Sequence, residues 1–184
     1  MDIKHFHIQG PALLTPVRHG DDRGYFSEHY NQKTFRKALG LPINFIQDNH
    51  AFSVNAGTLR GLHYQAPPHA QAKLVSCLAG AILDIIVDIR RSSPTYGQHI
   101  SVELSGENQA QLWVPEGFLH GYITRTKGAH IFYKVNAHYH PQSDGAVLWS
   151  SPALGLDWDG GCAPILSEKD QMAQDFNDFV SPFD

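Results

Sequence analysis

Cysteine is scarce in this sequence, and its two copies show no metal-binding or redox spacing. Cys77 and Cys162 are far apart, and neither belongs to a CxxC pair or to a Cys/His zinc pattern. A disulfide framework and a small zinc module are therefore excluded. We expect reduced thiols and a cytoplasmic protein.

Long apolar runs are also absent. No stretch approaches the roughly 20 apolar residues that a membrane-spanning helix needs. The first ten residues, MDIKHFHIQG, lack the apolar core of a signal peptide. The sequence therefore predicts a protein without a membrane partner.

Neither sign of charge dominates the chain. Lysine and arginine number 14 against 18 aspartates and glutamates, which gives a net charge of −4. A general nucleic-acid-binding protein usually has a basic excess, so we expect no nucleic-acid partner. A local basic pocket for one phosphorylated ligand is compatible with this balance. With 184 residues, 42% of them hydrophobic, the chain is expected to form a single domain over residues 1–184 with its own core.

Helical periodicity is rare, whereas the 16 glycines and 11 prolines break the chain often. Strand-like segments recur about every ten residues with turn signals between them, which is typical of an all-β sandwich or barrel. We predict strands around Ile8 and over 13–17, 45–53, 73–80, 81–90, 98–106, 110–126, 130–140 and 146–152, and a turn followed by an aromatic strand or bend over 21–30. Short peripheral helices are predicted over 31–40, ending at Gly40, and over 167–179, beginning after Ser167.

The stretch Gly57–Lys73 concentrates the reactive side chains. Its first half alternates as a strand does, so His63 and Gln65 are expected on one face and Arg60 and Tyr64 on the other. An inward-facing histidine near the lysine that ends the stretch suits proton abstraction beside a cation. The alternative is a histidine that only satisfies a hydrogen bond in the core, which is the commoner situation for a single histidine.

Two passages resemble the paired motifs of cupins. In the first, Gly57 precedes His63 by six residues, and the second, Pro115–His120, matches P-x-G-x-x-H. Such motifs place two histidines on facing strands of a jelly-roll barrel. Metal-binding cupins generally carry H-x-H and a glutamate, but here Gln65 replaces the second histidine and Lys73 stands near the glutamate position. A cation there opposes a divalent metal, so the resemblance implies an all-β cupin jelly-roll barrel without metal or cofactor.

A narrower resemblance covers the chain from about Arg23 to Asp170. Six blocks match the dTDP-4-dehydrorhamnose 3,5-epimerase family: QDNH (47–50), LRGLHYQ (59–65), DIRRSSPTYG (88–97), QLWVPEGFLHGY (111–122), YK (133–134) and PILSEKD (164–170). LRGLHYQ together with WVPEGFLHG is the most specific part. The resemblance implies a metal-independent isomerase that inverts C3, C5 or both in a dTDP-4-keto-6-deoxyhexose, through an enolate.

This reaction needs a base on one face of the sugar, an acid on the other face and a cation at the enolate oxygen. The resemblance assigns the base to His63, the enolate stabiliser to Lys73 and the acid to Tyr133. It implies that Asp170 reaches Nδ1 of His63, where a carboxylate fixes the tautomer. Each has an ordinary alternative: an exposed lysine at a strand edge, a tyrosine that fills the core, and an aspartate on an exposed helical turn.

The remaining substrate contacts are also implied by the resemblance. Arg60 and Arg23 match positions near the diphosphate, and a guanidinium fork fits phosphate oxygens. A surface salt bridge is the alternative, above all for Arg23. The other matching positions are Gln47, Asn49, Glu28, Tyr139 and Lys169, with His120 lining the sugar pocket, and Asp144 is expected among the substrate contacts as well. The resemblance further implies a homodimer whose subunits share their N-terminal strands.

Asp144 stands in place of a longer acid, and three further positions depart from the family pattern. His130 stands where an acidic residue is common, His138 replaces a tyrosine and Gly145 an arginine. They bear on sugar preference and on whether one centre or two are inverted. A single-centre dTDP-sugar epimerase of a tailoring pathway and a non-catalytic nucleotide-sugar-binding cupin are the alternative functions. A metal-dependent cupin oxygenase is disfavoured by Gln65 and Lys73.

Overall fold

The computed structural model describes residues 1–158 and 163–184, so Cys162 lies outside the described residues. The strands are β1 (Asp2–His5), β2 (Ala12–Thr15), β3 (Arg18–Asp21), β4 (Gly24–Ser27), β5 (Gln47–Ser53), β6 (Leu59–Gln65), β7 (Lys73–Ala79), β8 (Ala81–Asp88), β9 (His99–Ser105), β10 (Gln111–Val114), β11 (Phe118–Thr124), β12 (Ala129–Val135) and β13 (Asp144–Ala146). The helices are α1 (Gln32–Leu39) and α2 (Glu168–Gln171), and single 3₁₀ turns occur at Pro141–Ser143, Pro152–Leu154 and Phe176–Asp178.

Two antiparallel sheets enclose the main core. The larger sheet has the order β1-β2-β10-β7-β12-β5, and the smaller has the order β13-β6-β11-β8-β9. Val75 and Ile131 of the larger sheet meet Ile82 and Ile86 of the smaller one in a single buried cluster. Strands β3 and β4 form a separate hairpin. This is the two-sheet all-β barrel that the sequence predicts.

Each sheet is also covered on its outer side. Helix α1 places Phe35 against Trp113 on the larger sheet. The C-terminal segment places Phe179 and Phe183 against the smaller sheet. Strand β8 is therefore buried on both faces, which explains why its sequence AILDIIVD is apolar almost throughout.

The first predicted helix is confirmed, whereas the second is shorter than expected. The Asn31 side chain caps the amino end of α1 by accepting from the N–H groups of Lys33 and Thr34, and Gly40 ends it with φ +69°. In the tail, α2 follows its Ser167 cap for only four residues. The carbonyl of Gln174 accepts from the N–H of Leu148 at 2.8 Å, so that part of the tail pairs with another segment. None of the described helices is long and apolar enough to cross a membrane.

Some predicted strands also have different bounds. The prediction of one strand over 110–126 is wrong, because the turn at Pro115–Gly117 carries the chain from β10 in the larger sheet to β11 in the smaller one. Residues 136–140 and 147–152 lie outside β12 and β13. Ile8 is buried in the core without belonging to a strand.

A bulge in β6 overturns the predicted alternation around the central histidine. His120 of β11 is paired with His63, but Tyr122 is paired with Arg60, so three steps along β6 oppose two along β11. Leu59 and Leu62 consequently both face the outer cluster. The prediction that Arg60 faces away from His63 is wrong, since the two line the same cavity.

Gly61 permits this bulge because it approaches β11 very closely. Its φ is +127°, and a Cβ there would lie 2.6 Å from Cα of Gly121 and 2.8 Å from the carbonyl oxygen of His120. We expect Gly61→Ala to lose about 3 kcal/mol of unfolding free energy, from left-handed backbone strain and overpacking together. Urea denaturation followed by circular dichroism measures this loss.

Gly57→Ala is the matched control for the bulge. Gly57 also has a positive φ, +79°, but a Cβ there meets no atom within 4 Å. This variant should lose only about 1 kcal/mol, the cost of the left-handed backbone. Equal losses in both variants would contradict the close approach at Gly61.

Asp88 organises the turn after β8. It is fully buried, pairs with Arg90 at 2.7 Å and accepts from the hydroxyls of Ser93 and Thr95 at 2.6 and 2.7 Å. Burial alone would raise the pKa of this carboxyl, but these hydrogen bonds outweigh burial and lower the pKa to about 2. The block DIRRSSPTYG therefore acts as a charged structural turn.

The low pKa of Asp88 makes part of the stability acid-sensitive. An aspartate with an unfolded-state pKa of about 3.9 and a folded-state pKa of about 2 contributes roughly 2 kcal/mol, present above about pH 4 and lost as the pH falls to about 2. We expect Asp88→Asn to have a lower free energy of unfolding than the parent protein at neutral pH. This difference in unfolding free energy should shrink as the pH falls from about 4 to about 2. Asp184→Asn, which removes an exposed partner of Arg91, should show no such window in parallel urea titrations.

Candidate active site

Three of the predicted catalytic side chains meet between the two sheets. His63 on β6, Lys73 at the start of β7 and Tyr133 on β12 line both of two adjoining cavities, of about 460 and 410 Å³. Arg60 and His120 line the first cavity as well. The arrangement places a histidine, a lysine and a phenol around one space.

His63 is bonded to the carboxylate of Asp170. The distance from Nε2 to Oδ1 is 2.5 Å, and Asp170 is only 3% exposed. Burial acts to raise the pKa of Asp170, but the hydrogen bond and charge of His63 outweigh it and hold that pKa below its usual value. The hydroxyl of Ser167 accepts from the backbone N–H of Asp170 at 3.2 Å, so the first turn of α2 positions the carboxylate.

The predicted contact through Nδ1 of His63 is wrong. Asp170 arrives from the C-terminal tail and meets Nε2, the ring nitrogen farther from the backbone of β6. A carboxylate that holds one nitrogen fixes the proton there. Nδ1 is therefore the nitrogen that is left to accept a proton.

A second histidine–carboxylate contact, which the sequence reasoning missed, joins His120 to Asp84. Nε2 of His120 lies 3.0 Å from Oδ2 of Asp84, and Asp84 is fully buried. Burial lowers the pKa of His120 despite the charge of Asp84, and Lys73 and His63 lower it further. An aspartate inside the apolar run AILDIIVD was the available signal, because a buried carboxylate requires a partner.

Burial also affects the other groups of the cavity. It lowers the pKa of Lys73, although the charges of Asp84 and Asp144 oppose that shift. Burial raises the pKa of Tyr133, which keeps the phenol protonated. The neighbouring Tyr122 is raised by burial to a pKa of about 12, and its hydroxyl has no hydrogen-bond partner among the residues that the structure describes. Both phenols therefore remain proton donors at neutral pH.

The second cavity is polar. Its predicted members Gln47 and Asn49 are joined by a 2.8 Å hydrogen bond from Nε2 to Oδ1. The Tyr139 hydroxyl donates to Asp144 at 3.2 Å, and the ammonium of Lys169 pairs with the same carboxylate. This wall supplies amides, a hydroxyl and a cation, which suit a polar ligand.

Arg23 and Glu28 are not brought to either cavity within the described parts of this chain. Arg23 lies in the turn between β3 and β4, is 89% exposed and pairs with Asp21 at 2.5 Å. Glu28 accepts from the side chain of Asn31 at 3.1 Å. The surface salt bridge that was the alternative for Arg23 is what the single chain shows.

The three departures from the family pattern have separate explanations. His130 lies outside both cavities and is hydrogen-bonded to His50 at 2.9 Å. His138 lies 3.4 Å from Oε1 of Gln47, beside the second cavity. Gly145 has no room for a side chain, since a Cβ would lie 2.3 Å from the Tyr64 ring.

Metal ligation has little support in this geometry. Among the residues in 1–158 and 163–184, no group of three or more His, Cys, Asp or Glu side chains is arranged to hold a metal ion. Gln65 and Lys73, which stand at the metal-ligand positions of related cupins, both line the second cavity. An amide and an ammonium there suit hydrogen bonding to an oxygen-rich ligand.

Comparison with known proteins agrees with this geometry. The family model for dTDP-4-dehydrorhamnose 3,5-epimerase matches residues 5–178. The chain belongs to this family. The curated dTDP-4-dehydrorhamnose 3,5-epimerase of Salmonella typhimurium is 47% identical over 90% of each chain, and that of Sinorhizobium fredii is 49% identical over 92% of this chain and 87% of its own. The predicted enzyme class, an isomerase, is confirmed.

Solved structures of the epimerase family confirm the cupin jelly-roll fold. The dTDP-6-deoxy-D-glucose-3,5-epimerase of Legionella pneumophila, in complex with dTDP-4-keto-L-rhamnose, superposes with a TM-score of 0.93 at 41% identity, covering 97% of this chain and 94% of its own. ChmJ, a 3'-monoepimerase from Streptomyces bikiniensis in complex with dTDP-quinovose, gives a TM-score of 0.88 at 33% identity over 94% and 86% of the chains. The fold is therefore common to enzymes described as two-centre and as single-centre epimerases.

The contact between His63 and Asp170 leads to a direct test. We expect Asp170→Asn to lower kcat at least 100-fold while the protein stays folded, because the amide keeps the shape but loses the charge that supports a protonated imidazole. Steady-state epimerisation assays and thermal unfolding measure the two effects. Asp178→Asn, at an exposed position of the tail outside both cavities, is the control and should keep full turnover. Unchanged kcat in Asp170→Asn would contradict a role for this carboxylate.

Proposed function

We propose that this enzyme inverts C3 and C5 of dTDP-4-keto-6-deoxyglucose and so forms dTDP-4-dehydrorhamnose. His63 is the base, Lys73 stabilises the enolate and Tyr133 is the acid on the opposite face. The observation that carries the proposal is that these three side chains surround one space while Asp170 is bonded to the far nitrogen of His63.

The first step is proton removal beside the ketone. His63 accepts the proton through Nδ1, and the electron pair of the broken C–H bond moves into the ring while the carbonyl oxygen takes up negative charge. The imidazolium formed is stabilised by Asp170. Lys73 supplies the cation at the enolate oxygen. Its lowered pKa reflects burial, and a buried ammonium interacts more strongly with a developing charge than an exposed one does.

The second step returns a proton to the other face. Tyr133 donates its phenolic proton to carbon, and the enolate collapses to the ketone. The phenolate then regains a proton from solvent, and the imidazolium of His63 releases its proton to solvent. The raised pKa of Tyr133 agrees with this order, since the group must be protonated before it can act as an acid.

The substrate is placed by the two cavities. Arg60 holds the diphosphate and His120 lines the sugar pocket in the first cavity, while Gln47, Asn49, Tyr139, Asp144 and Lys169 line the nucleotide side. The ligand named for the Legionella relative, dTDP-4-keto-L-rhamnose, supports a nucleotide sugar of this kind. The enzyme acts as a homodimer that shares its N-terminal strands, and Arg23 and Glu28 reach a cavity only in that assembly. We also propose that residues 1–184 form one domain and that the protein is cytoplasmic.

A single-centre epimerase is the second candidate, because ChmJ has the same fold. Incubation with dTDP-4-keto-6-deoxyglucose in deuterated water separates the two. We expect deuterium at both C3 and C5 in the NMR spectrum, with both centres inverted. Label and inversion at one carbon would establish the single-centre reaction, and binding without label would establish a non-catalytic protein.

The role of Tyr133 has its own test. We expect Tyr133→Phe to retain deuterium exchange at C3 but to lose inversion at C5, because His63 still removes the proton while the opposite face lacks an acid. The phenyl ring keeps its contacts, so stability should change by about 1 kcal/mol or less.

Tyr96→Phe is the control for the loss of a phenolic hydroxyl. Tyr96 packs against Phe176 outside both cavities, so this variant should invert both centres at the parent rate. Full inversion at C5 by Tyr133→Phe would assign the acid to another group.

A further inference from the structure

Gln65 is the last residue of β6 and takes no part in the proton chemistry. It lies two residues beyond His63, is only 7% exposed and lines the second cavity. Metal-binding cupins carry a ligand histidine at the corresponding position, so the sequence already sets this glutamine apart. The structure gives it a different use.

The Gln65 amide holds two loops together. Its Nε2 donates to the carbonyl oxygens of His69 and, at 3.0 Å, of His138, while its Oε1 accepts from the N–H of His140 at 2.9 Å. These partners determine the orientation of the amide, because two carbonyls need donors and one N–H needs an acceptor. A neutral imidazole has one donor and a carboxylate has none, so neither can replace the amide here.

We call the joined segments, residues 66–72 and 136–143, the loop seam. The rings of His69 and His140 stack across it at a centroid distance of 3.7 Å. Three hydrogen bonds of 2.7 Å also cross the seam: Ala66 N–H to the Ser143 carbonyl, Gln71 Nε2 to the Ala137 carbonyl, and Ala72 N–H to Oδ1 of Asn136. The buried amide of Gln65 is therefore one part of a continuous connection between the loops.

The loop seam carries the Tyr139 part of the nucleotide-side wall, and Asp144 beside it is paired with Gln65 in the sheet. Tyr139 lies between the two residues of the 136–143 loop that Gln65 binds, and Asp144 follows the seam directly. The Tyr139 hydroxyl donates to Asp144, which also pairs with Lys169. A shift of the 136–143 loop would move Tyr139, whereas His63 and Tyr133 lie within strands β6 and β12.

We propose that Gln65 is a positioning residue that holds Tyr139 and Asp144 in place for the nucleotide half of the substrate. The inference rests on the proposed function, because it assigns that half to the second cavity. Loss of the two amide donors leaves the carbonyls of His69 and His138 without their shared partner and releases the seam. Nucleotide affinity then falls, while proton transfer in the saturated enzyme continues.

Gln65→Glu tests this with almost no change of shape. The carboxylate keeps the acceptor for His140 and loses both donors. Isothermal titration with dTDP should show at least tenfold weaker binding than the parent protein. The KM for the nucleotide sugar should rise by a similar factor, and kcat should stay within threefold. A role in packing alone would not separate KM from kcat in this way.

The pH dependence of dTDP binding provides a second measure. Protonation of the introduced carboxyl restores one donor, so the affinity gap between Gln65→Glu and the parent protein should narrow as the pH falls. Gln65→Leu has no donor at any pH, so the difference in dTDP affinity between this variant and the parent protein should stay constant. The same gap at every pH for Gln65→Glu would contradict the hydrogen-bond argument.

Gln111→Glu is the matched control. Gln111 is 1% exposed and donates to the carbonyl of His29 at 2.7 Å, outside both cavities. This variant should bind dTDP as the parent protein does.

Equal dTDP affinity in Gln65→Glu and the parent protein would overturn this inference but would leave the proposed function intact. Failure of the parent protein to bind dTDP would remove the proposed function and the inference with it.

Hydrogen exchange on the unsubstituted protein tests the inference even if Gln65→Glu does not fold. Binding of dTDP should slow amide exchange across residues 136–143, because the nucleotide contacts the wall that the seam carries. Unchanged exchange in that segment with dTDP bound would overturn the assignment of Gln65 to nucleotide positioning.

Discussion

The close approach of β6 and β11 determines what the active cavity contains. At Gly61 the strand gains one residue relative to its neighbour, and Arg60 therefore lies on the same face as His63. A regular strand would place the guanidinium against the apolar cluster of Leu59 and Leu62, where burying an unpaired charge is strongly unfavourable. The absence of a side chain at Gly61 thus decides that the Arg60 guanidinium shares the cavity with His63.

Buried charges in the cavity are paired across distant segments. His63 is bonded to Asp170 from the C-terminal tail, and His120 is bonded to Asp84 from β8. A charged group removed from water is tolerated only when another group compensates it. The four-residue helix α2 thereby contributes to the cavity, since its capped first turn presents Asp170 to the histidine.

Much of this arrangement could be predicted from local pattern. The all-β barrel and the helix after Asn31 rest on turn spacing and capping residues, which are local properties. The proposed catalytic group of His63, Lys73 and Tyr133 rests on the resemblance to the epimerase family. Two features required more. The side of β6 that Arg60 occupies depends on a bulge, and alternation within one strand cannot reveal a bulge. The nitrogen of His63 that Asp170 meets depends on the direction from which the tail arrives.

The sequence by itself determined which side chains are available: an imidazole, an ammonium, a phenol and a carboxylate, in motifs whose order resembles that of the family. Only the tertiary structure decided how they are used, because hydrogen bonds between segments far apart in the chain have no local signature. Asp84 became the partner of His120 through the pairing of β8 with β11. Gln65 became a link between two loops because its amide meets three backbone groups that only the folded barrel brings together.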